Sequence, residues 1–361
     1  MTRHWRLGLA GFGSVGQALA ALLDERREEL RLRHGLSVSI GLVATRRLGT
    51  WLARDGAPEG GGLDLSALVE RVGTIGAWAS DPSVARAADL PSALADAPVD
   101  VLAEMTPLDR VAGEPATSHV RAALAGGIHA ITANKGPLAL HGPELRREAT
   151  AARLGLRFEA TLMDCLPAQV LRETVVPVGE VESFAAIVNS TSNFVLDAMA
   201  AGRDATEAVA EAQRLGIAEA DPSADLDGWD GAFKAAILAQ VLLDRDVRAG
   251  EVERVGLSSL DPGEPALAAA AGERVRILAR GSRAGGPVRV APERLPAASL
   301  LGSTSGFSMA LAIETSHAGR LEIALVEPHV RQTAYAILMD LLAIDRDVRA
   351  GALRPPRGWS A

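Results

Sequence analysis

The 361-residue sequence predicts an α/β protein with an N-terminal doubly wound parallel sheet and a second, α+β domain. Three observations predict it. Short apolar strands alternate with helical stretches from the N-terminus. The first strand runs into Gly11-Phe12-Gly13-Ser14-Val15-Gly16 and then a helix. After about residue 150 the texture changes to longer helical patterns mixed with strands.

In chain order, Trp5–Ala10 reads as a strand, about Val15 to Arg33 as a helix, and Ser37–Thr45 as a second strand rich in Val, Ile and Leu. Trp51–Gly62 reads as a loop. Val99–Met105 and Ile128–Ala133 are apolar strands, separated by a helix over Pro115–Ala125 that Gly126-Gly127 stops. Beyond residue 150, helices are expected over Pro167–Val176, Asp204–Leu215, Asp227–Leu242 and Pro265–Ala279, with a strand over Glu182–Val188. Leu321–Val326 then reads as a strand and Thr333–Leu342 as a closing helix. The expected organisation is a dinucleotide-binding domain over 1–150, completed by about 325–350, around a catalytic and dimerisation domain over 151–324. The tail over 346–361, with its Arg-Pro-Pro-Arg-Gly run, is expected to be disordered.

Composition excludes several classes. A net charge of −8 and the absence of basic runs argue against nucleic acid and anionic membrane surfaces. No segment approaches the roughly 20 apolar residues of a membrane span, and the N-terminus is not a signal peptide. Cys165 is the only cysteine, so disulfides and cysteine metal clusters are out, and a cytoplasmic setting is expected. Of 37 basic residues only two are lysines, Lys135 and Lys234. Arginine serves at most surface positions, but a site that must gain and lose a proton needs an ammonium.

The glycine run has the context that gives Gly-x-Gly-x-x-Gly its meaning, a strand before it and a helix after it. Gly11 permits the turn, Gly13 lets a pyrophosphate approach, and Gly16 lets helix and strand pack, with Phe12, Ser14 and Val15 completing the loop. This is the Rossmann dinucleotide signature. At the end of the second strand stands Thr45-Arg46-Arg47 and no carboxylate. Two guanidinium groups there suit a 2′-phosphate, so NADP(H) is expected in preference to NAD(H).

Hydride chemistry at a carbonyl needs a proton donor. The only tyrosine, Tyr335, has no lysine four residues on, which excludes the Tyr/Lys pair of short-chain dehydrogenases. A zinc site is excluded by one cysteine and dispersed histidines. The two lysines remain. Lys135 follows the carboxyl end of a parallel strand, where ligands of open α/β sheets bind. Lys234 shares a helix face with Asp230 and with apolar Ile237, Leu238 and Val241. That pair is either a buried structural salt bridge or the wall of a cleft. Upstream, Glu219, Asp221, Asp225 and Asp227 crowd a loop around Pro222. It is either a solvated acidic loop or a site for a substrate ammonium.

Four segments together resemble the homoserine dehydrogenase family: Ala218 through Asp230 with Lys234; Thr132-Ala133-Asn134-Lys135; Phe158-Glu159-Ala160-Thr161 through Leu166-Pro167; and Val188-Asn189-Ser190-Thr191-Ser192-Asn193. The resemblance runs from about residue 5 to 345. It implies reversible NAD(P)H-dependent reduction of L-aspartate 4-semialdehyde to L-homoserine, in threonine and methionine biosynthesis. By the same resemblance Lys234 and Lys135 flank the reacting carbon, Lys234 for proton transfer and Lys135 polarising the oxygen beside the nicotinamide. Glu219, Asp225 and Asp230 match substrate-holding residues, Ser190 and Thr191 a turn near the substrate, and Thr106 a cofactor contact. Glu159, Leu162, Asp164 and Leu166 match a monovalent cation site, usually sodium. A homodimer is implied, in a short form without a C-terminal regulatory domain.

The sequence departs from the family pattern at Ser190, usually glycine, at Ile217 or Ala218, where a tyrosine is common, at Met163-Asp164-Cys165, and at Val326-Glu327-Pro328-His329-Val330-Arg331, usually a glycine-rich loop. These departures keep two other readings open: a reductase of the same fold for another amino-acid semialdehyde or oxo acid, and a catalytically silent NADP-binding paralogue.

Overall fold

The computed structural model describes residues 2–47, 49–53, 84–215 and 222–356. Strand β1 (Arg3–Ala10) alternates, sending Trp5, Leu7 and Leu9 into one buried cluster and Ala10 into another. The strands that follow are β2 (Leu36–Thr45), β3 (Gly49–Ala53), β4 (Val84–Ala87), β5 (Val101–Glu104), β6 (His129–Thr132) and β7 (Leu156–Arg157). They form a seven-stranded sheet in the order β4-β3-β2-β1-β5-β6-β7. Strands β2, β1, β5, β6 and β7 are parallel, and β3 and β4 extend the β2 edge antiparallel.

Both faces of this sheet are covered, and the central stretches 7–10, 40–44 and 101–103 of its parallel strands are apolar and buried. Helix α1 (Ser14–Glu25) and the C-terminal helix Val330–Arg349 pack Leu19, Leu23, Ile337, Leu341 and Ile344 against Trp5, Leu7 and Leu9. Helices α2 (Leu90–Asp96) and α3 (Ala116–Ala125) close the other face, with Leu90, Leu94 and Ala123 against Leu42 and Leu102. Each buried Leu or Ile contributes roughly 1.5–3 kcal/mol relative to exposure. The last helix is therefore part of the first unit's core, and Trp5 Nε1 donates to the buried Asp345 at 2.9 Å. Helix α4 (Lys135–Ala152) follows β6. The chain accordingly divides into two units, Met1–Cys165 with His329–Ala361, and Leu166–Pro328.

The second unit carries a six-stranded sheet built from β8 (Val181–Ile187), β9 (Glu253–Arg254), β10 (Glu273–Ser282), β11 (Arg289–Pro296), β12 (Met309–Thr315) and β13 (Gly319–Leu325), in the order β13-β12-β8-β10-β11-β9. Its helices are α5 (Ser190–Ala200), α6 (Ala205–Arg214), α7 (Trp229–Leu242) and α8 (Glu264–Ala270). Helix α7 lies on the face of Gly281 and Val290. A Cβ on its Gly231 would meet Val290 at 2.9 Å, so helix and strand touch backbone to side chain. Helix α5 lies on the opposite face, where its Asp197 pairs with Arg276 of β10.

Three sequence expectations are corrected. Residues 51–53 are strand, not loop, because Gly49, at φ +83°, turns the chain back along β2; residues 54–62 lie outside the described residues. The helical stretch expected from about Val15 to Arg33 is found from Ser14 to His34 with one break at Arg26, and it ends at Gly35, at φ +61°. The helix expected over 265–279 ends at Ala270, where Gly272 (φ +76°) breaks it, and ladder pairing with β11 makes 273–282 a strand. Of the tail expected to be disordered over 346–361, residues to Arg349 are helical and Gly351 and Arg354 are bonded to Arg153; residues 357–361 lie outside the described residues.

Candidate active site

In the first unit the carboxyl ends of four strands are brought level by crossing hydrogen bonds. Gly11 N donates to Ala44 O at 2.8 Å, Met105 N to Ala10 O at 2.7 Å, and Ala133 N to Glu104 O at 2.9 Å. The glycine loop, Arg46-Arg47, Thr106 and Lys135 therefore all leave the same sheet edge. Gly11, at φ +93°, is unavoidable, since a Cβ there would sit 2.7 Å from Met105 O. Gly16 is confined by Gly11 O at 3.0 Å. Gly13 is the opposite case. It is exposed, and nothing lies within 4 Å of where its Cβ would be. It stands at the N-cap of α1, and no side chain caps that end. Open space above uncapped N–H groups suits a pyrophosphate, so these residues fit a dinucleotide. Ser14 is exposed, Val15 half-buried, and Phe12 is buried against the core, leaving it only its backbone for a ligand. Arg46 and Arg47 are exposed in the turn after β2.

Behind the loop after β5 is a buried polar chain that sequence reasoning missed. Glu104 is 0% exposed and accepts hydrogen bonds from Thr106 N, at 3.2 Å, and from Thr106 Oγ1, with His119 Nδ1 3.5 Å away. Asn134 Nδ2 donates to Thr106 O at 2.9 Å, while its Oδ1 accepts Gly136 N at 2.9 Å and caps α4. Lys135, half-buried, is the first residue of that helix, so Asn134 sets Thr106 and Lys135 together. A polar residue directly after an apolar strand was the available signal, as an N-cap.

In the second unit Asp225, Asp230 and Lys234 converge. Lys234 Nζ donates to Val188 O at 2.6 Å and lies 3.0 Å from Asp230 Oδ2, with the two side chains 13% and 11% exposed. Asn189, at the N-cap of α5, accepts Ser192 N at 2.8 Å and donates to Asp225 Oδ1 at 2.9 Å and Asp230 Oδ2 at 3.0 Å. Ser192 Oγ donates to Asp225 O at 3.0 Å. Asp225, Asp230 and Lys234 are thus one network, and Asn189, which sequence reasoning did not single out, is its hub. Ser190 Oγ donates to Phe307 O at 2.9 Å, so the side chain added at this position is anchored to the protein. Thr191 is buried. Glu219, with Ile217 and Ala218, lies outside the described residues.

Glu159, in the short helix Glu159–Leu162, is 0% exposed, and its N–H donates to Asp340 at 3.0 Å. Asp164 has φ +53° and accepts Thr333 Oγ1 at 2.5 Å. Leu162 is buried in the first unit, and Leu166 opens the second. Among the described residues no group of three or more His, Cys, Asp or Glu could hold a metal ion, and no helix is long and apolar enough to cross a membrane.

Comparison with known proteins agrees with this arrangement. The family model for homoserine dehydrogenase matches residues 168–342, and that for the homoserine dehydrogenase NAD binding domain matches residues 11–159. The NAD(+)-dependent homoserine dehydrogenase of Pseudomonas canavaninivorans is 34% identical over 344 residues, covering 94% of this chain and 96% of the relative. Among solved structures, a homoserine dehydrogenase from Thiobacillus denitrificans matches with a TM-score of 0.81 at 26% identity, over 97% of this chain and 75% of that one. A hyperthermophilic archaeal homoserine dehydrogenase in complex with NADPH matches with a TM-score of 0.79 at 26% identity, over 96% and 98%. The chain belongs to the homoserine dehydrogenase family, NAD(P)-dependent oxidoreductases that act on a CH–OH group.

Proposed function

We propose that Lys234 moves the proton in the interconversion of L-homoserine and L-aspartate 4-semialdehyde, with NADP as the preferred dinucleotide. One observation carries the proton assignment. An ammonium has three N–H donors. Lys234 gives two to Val188 O and Asp230, which leaves one for a substrate oxygen. A bound nicotinamide exchanges a hydride with the carbon that carries the hydroxyl. In the reducing direction Lys234 donates its remaining proton to the alkoxide oxygen as it forms. In the oxidising direction the neutral amine takes that proton back. Lys135, at the sheet edge that carries the glycine loop, polarises the same oxygen. Asp225 and Asp230 set two carboxylates against one lysine, an excess of negative charge that suits the substrate's α-ammonium. Glu219 joins them in this reading, Ser190 and Thr191 shape the turn beside the substrate, and Thr106 meets the cofactor.

The NADP preference rests on Arg46 and Arg47, exposed where a 2′-phosphate would lie. The Pseudomonas relative, named as NAD(+)-dependent, defines the competing outcome. Sodium at Glu159 and the carbonyls of Leu162, Asp164 and Leu166 belongs to the same reading, as do a homodimer and a cytoplasmic location. A buried carboxylate beside irregular backbone suits a cation that prefers oxygen ligands.

The test is an absorbance assay of reduced nicotinamide with L-homoserine, NADP against NAD. The expected result is a higher kcat/KM with NADP. Replacing both Arg46 and Arg47 by Asp should then lower the NADP/NAD ratio by at least about tenfold, the worth of one charge-assisted hydrogen bond. A ratio unmoved by that change would remove the 2′-phosphate assignment.

A further inference from the structure

On the sheet face of the second unit that carries α5, a cavity of about 510 Å³ lies among Asp197 of α5, Ala201 just beyond it, Arg274 and Arg276 of β10, Ser303 and Ser305. None of these is a residue proposed for substrate or dinucleotide. We propose that this cavity binds a small oxyanion, a carboxylate or inorganic phosphate.

Two guanidinium groups and one carboxylate line the cavity, and the carboxylate is engaged at both oxygens. Asp197 Oδ1 pairs with Arg276 at 2.7 Å, and its Oδ2 accepts Gly306 N at 2.7 Å. Arg276 is 1% exposed, and its Nη2 donates to Gly302 O at 3.2 Å. Its Nε is buried with no acceptor among the described residues. A buried donor left without an acceptor is destabilising, so a native fold that retains one calls for a group that fills the need. Arg274, two residues earlier on the same face of β10, donates only from Nη1, to the carbonyl of its neighbour Glu273 at 2.9 Å. Its other N–H groups have no protein acceptor among the described residues, and the residue lines the cavity. Ser305 is exposed at the rim. Donors outnumber acceptors, and the planar guanidinium fork matches the paired oxygens of a carboxylate or phosphate.

Calorimetric titration of the NADP-saturated protein with sodium phosphate, and separately with sodium acetate, tests this against sodium chloride at matched ionic strength. Saturating NADP occupies the other phosphate-binding surface. Saturable binding beyond chloride is expected, weakened at least tenfold in Arg274→Gln while homoserine turnover is unchanged. Ser305→Leu, at an exposed rim position, should weaken it as well and guards against a folding defect in the arginine variant. Tighter phosphate than acetate identifies the ligand as phosphate, and the reverse identifies a carboxylate. Binding that equals chloride, or that survives in both variants, overturns the proposal.

Discussion

Replacing Asn189 by Asp isolates the network that holds Asp225, Asp230 and Lys234. The new carboxylate still caps α5 through Ser192 N, as Asp is as good an N-cap as Asn. What changes is the other end. The amide nitrogen that donates to Asp225 at 2.9 Å and Asp230 at 3.0 Å becomes an oxygen with no proton to give. With charge centres about 4 Å apart and an effective dielectric constant near 20, each new pair of like charges costs about 4 kcal/mol. The site can escape most of that by binding one proton, which then restores a donor. Holding a proton on a carboxylate of ordinary pKa near 4 costs about 1.4 kcal/mol for each pH unit above it, or roughly 4 kcal/mol at pH 7. In the variant the folded state holds a proton that the unfolded state has released, so the deficit grows as pH rises. Urea unfolding of variant and wild type, compared at pH 5, 6, 7 and 8, reads the difference directly. A gap near 4 kcal/mol at pH 7 that shrinks by about 1.4 kcal/mol per unit toward pH 5 is the expected result. A gap below about 1 kcal/mol that does not change with pH would refute the reasoning.

Further predictions concern the first unit. His129 is fully buried, and its Nδ1 accepts Gly155 N at 2.8 Å, so burial holds its pKa down at about 4. Its contribution is complete above the unfolded value near 6.5 and is lost as pH falls from there toward 4, by roughly 3 kcal/mol at most. His129→Asn, which keeps an acceptor for Gly155, should flatten that part of the stability curve, and an unchanged slope would show that other groups cause it. Gly13→Ala should leave the thermal stability of the cofactor-free protein within a degree or two, because the added methyl meets nothing within 4 Å, yet weaken NADP binding at least tenfold. Gly11→Ala should lower both, since the same methyl collides with Met105 O at φ +93°. Equal effects of the two alanines would contradict the assignment of open space to the pyrophosphate.

How much was legible in the sequence follows from how local each cause is. The glycine loop was legible because its demands lie within six residues: a positive φ at Gly11, open space at Gly13 and close packing at Gly16. The Asp230–Lys234 pair was legible because a spacing of four fixes a shared helix face, and the structure closes it at 3.0 Å. The helix expected over 265–279 held for the alanine-rich run to Ala270 and failed beyond Gly272, where helix propensity gave way to pairing of Glu273–Ser282 with β11. Gly49–Ala53 was missed for the same reason, since what makes it a strand is its partner β2. Asn189 and Glu104 could be read as polar residues next to apolar strands. Their roles depend on side chains 36 and 41 positions away for Asn189, and on His119 for Glu104, which no local pattern encodes.

The kinetics of Lys234→Arg test whether Lys234 supplies and removes the proton. Guanidinium keeps the positive charge beside Asp230 and Val188 O but does not release its proton in this pH range. The account predicts NADP affinity within about twofold of wild type and a kcat for homoserine oxidation reduced by roughly 10² to 10⁴, the usual worth of a general acid–base. A kcat within a few-fold of wild type, with NADP still bound, would contradict it.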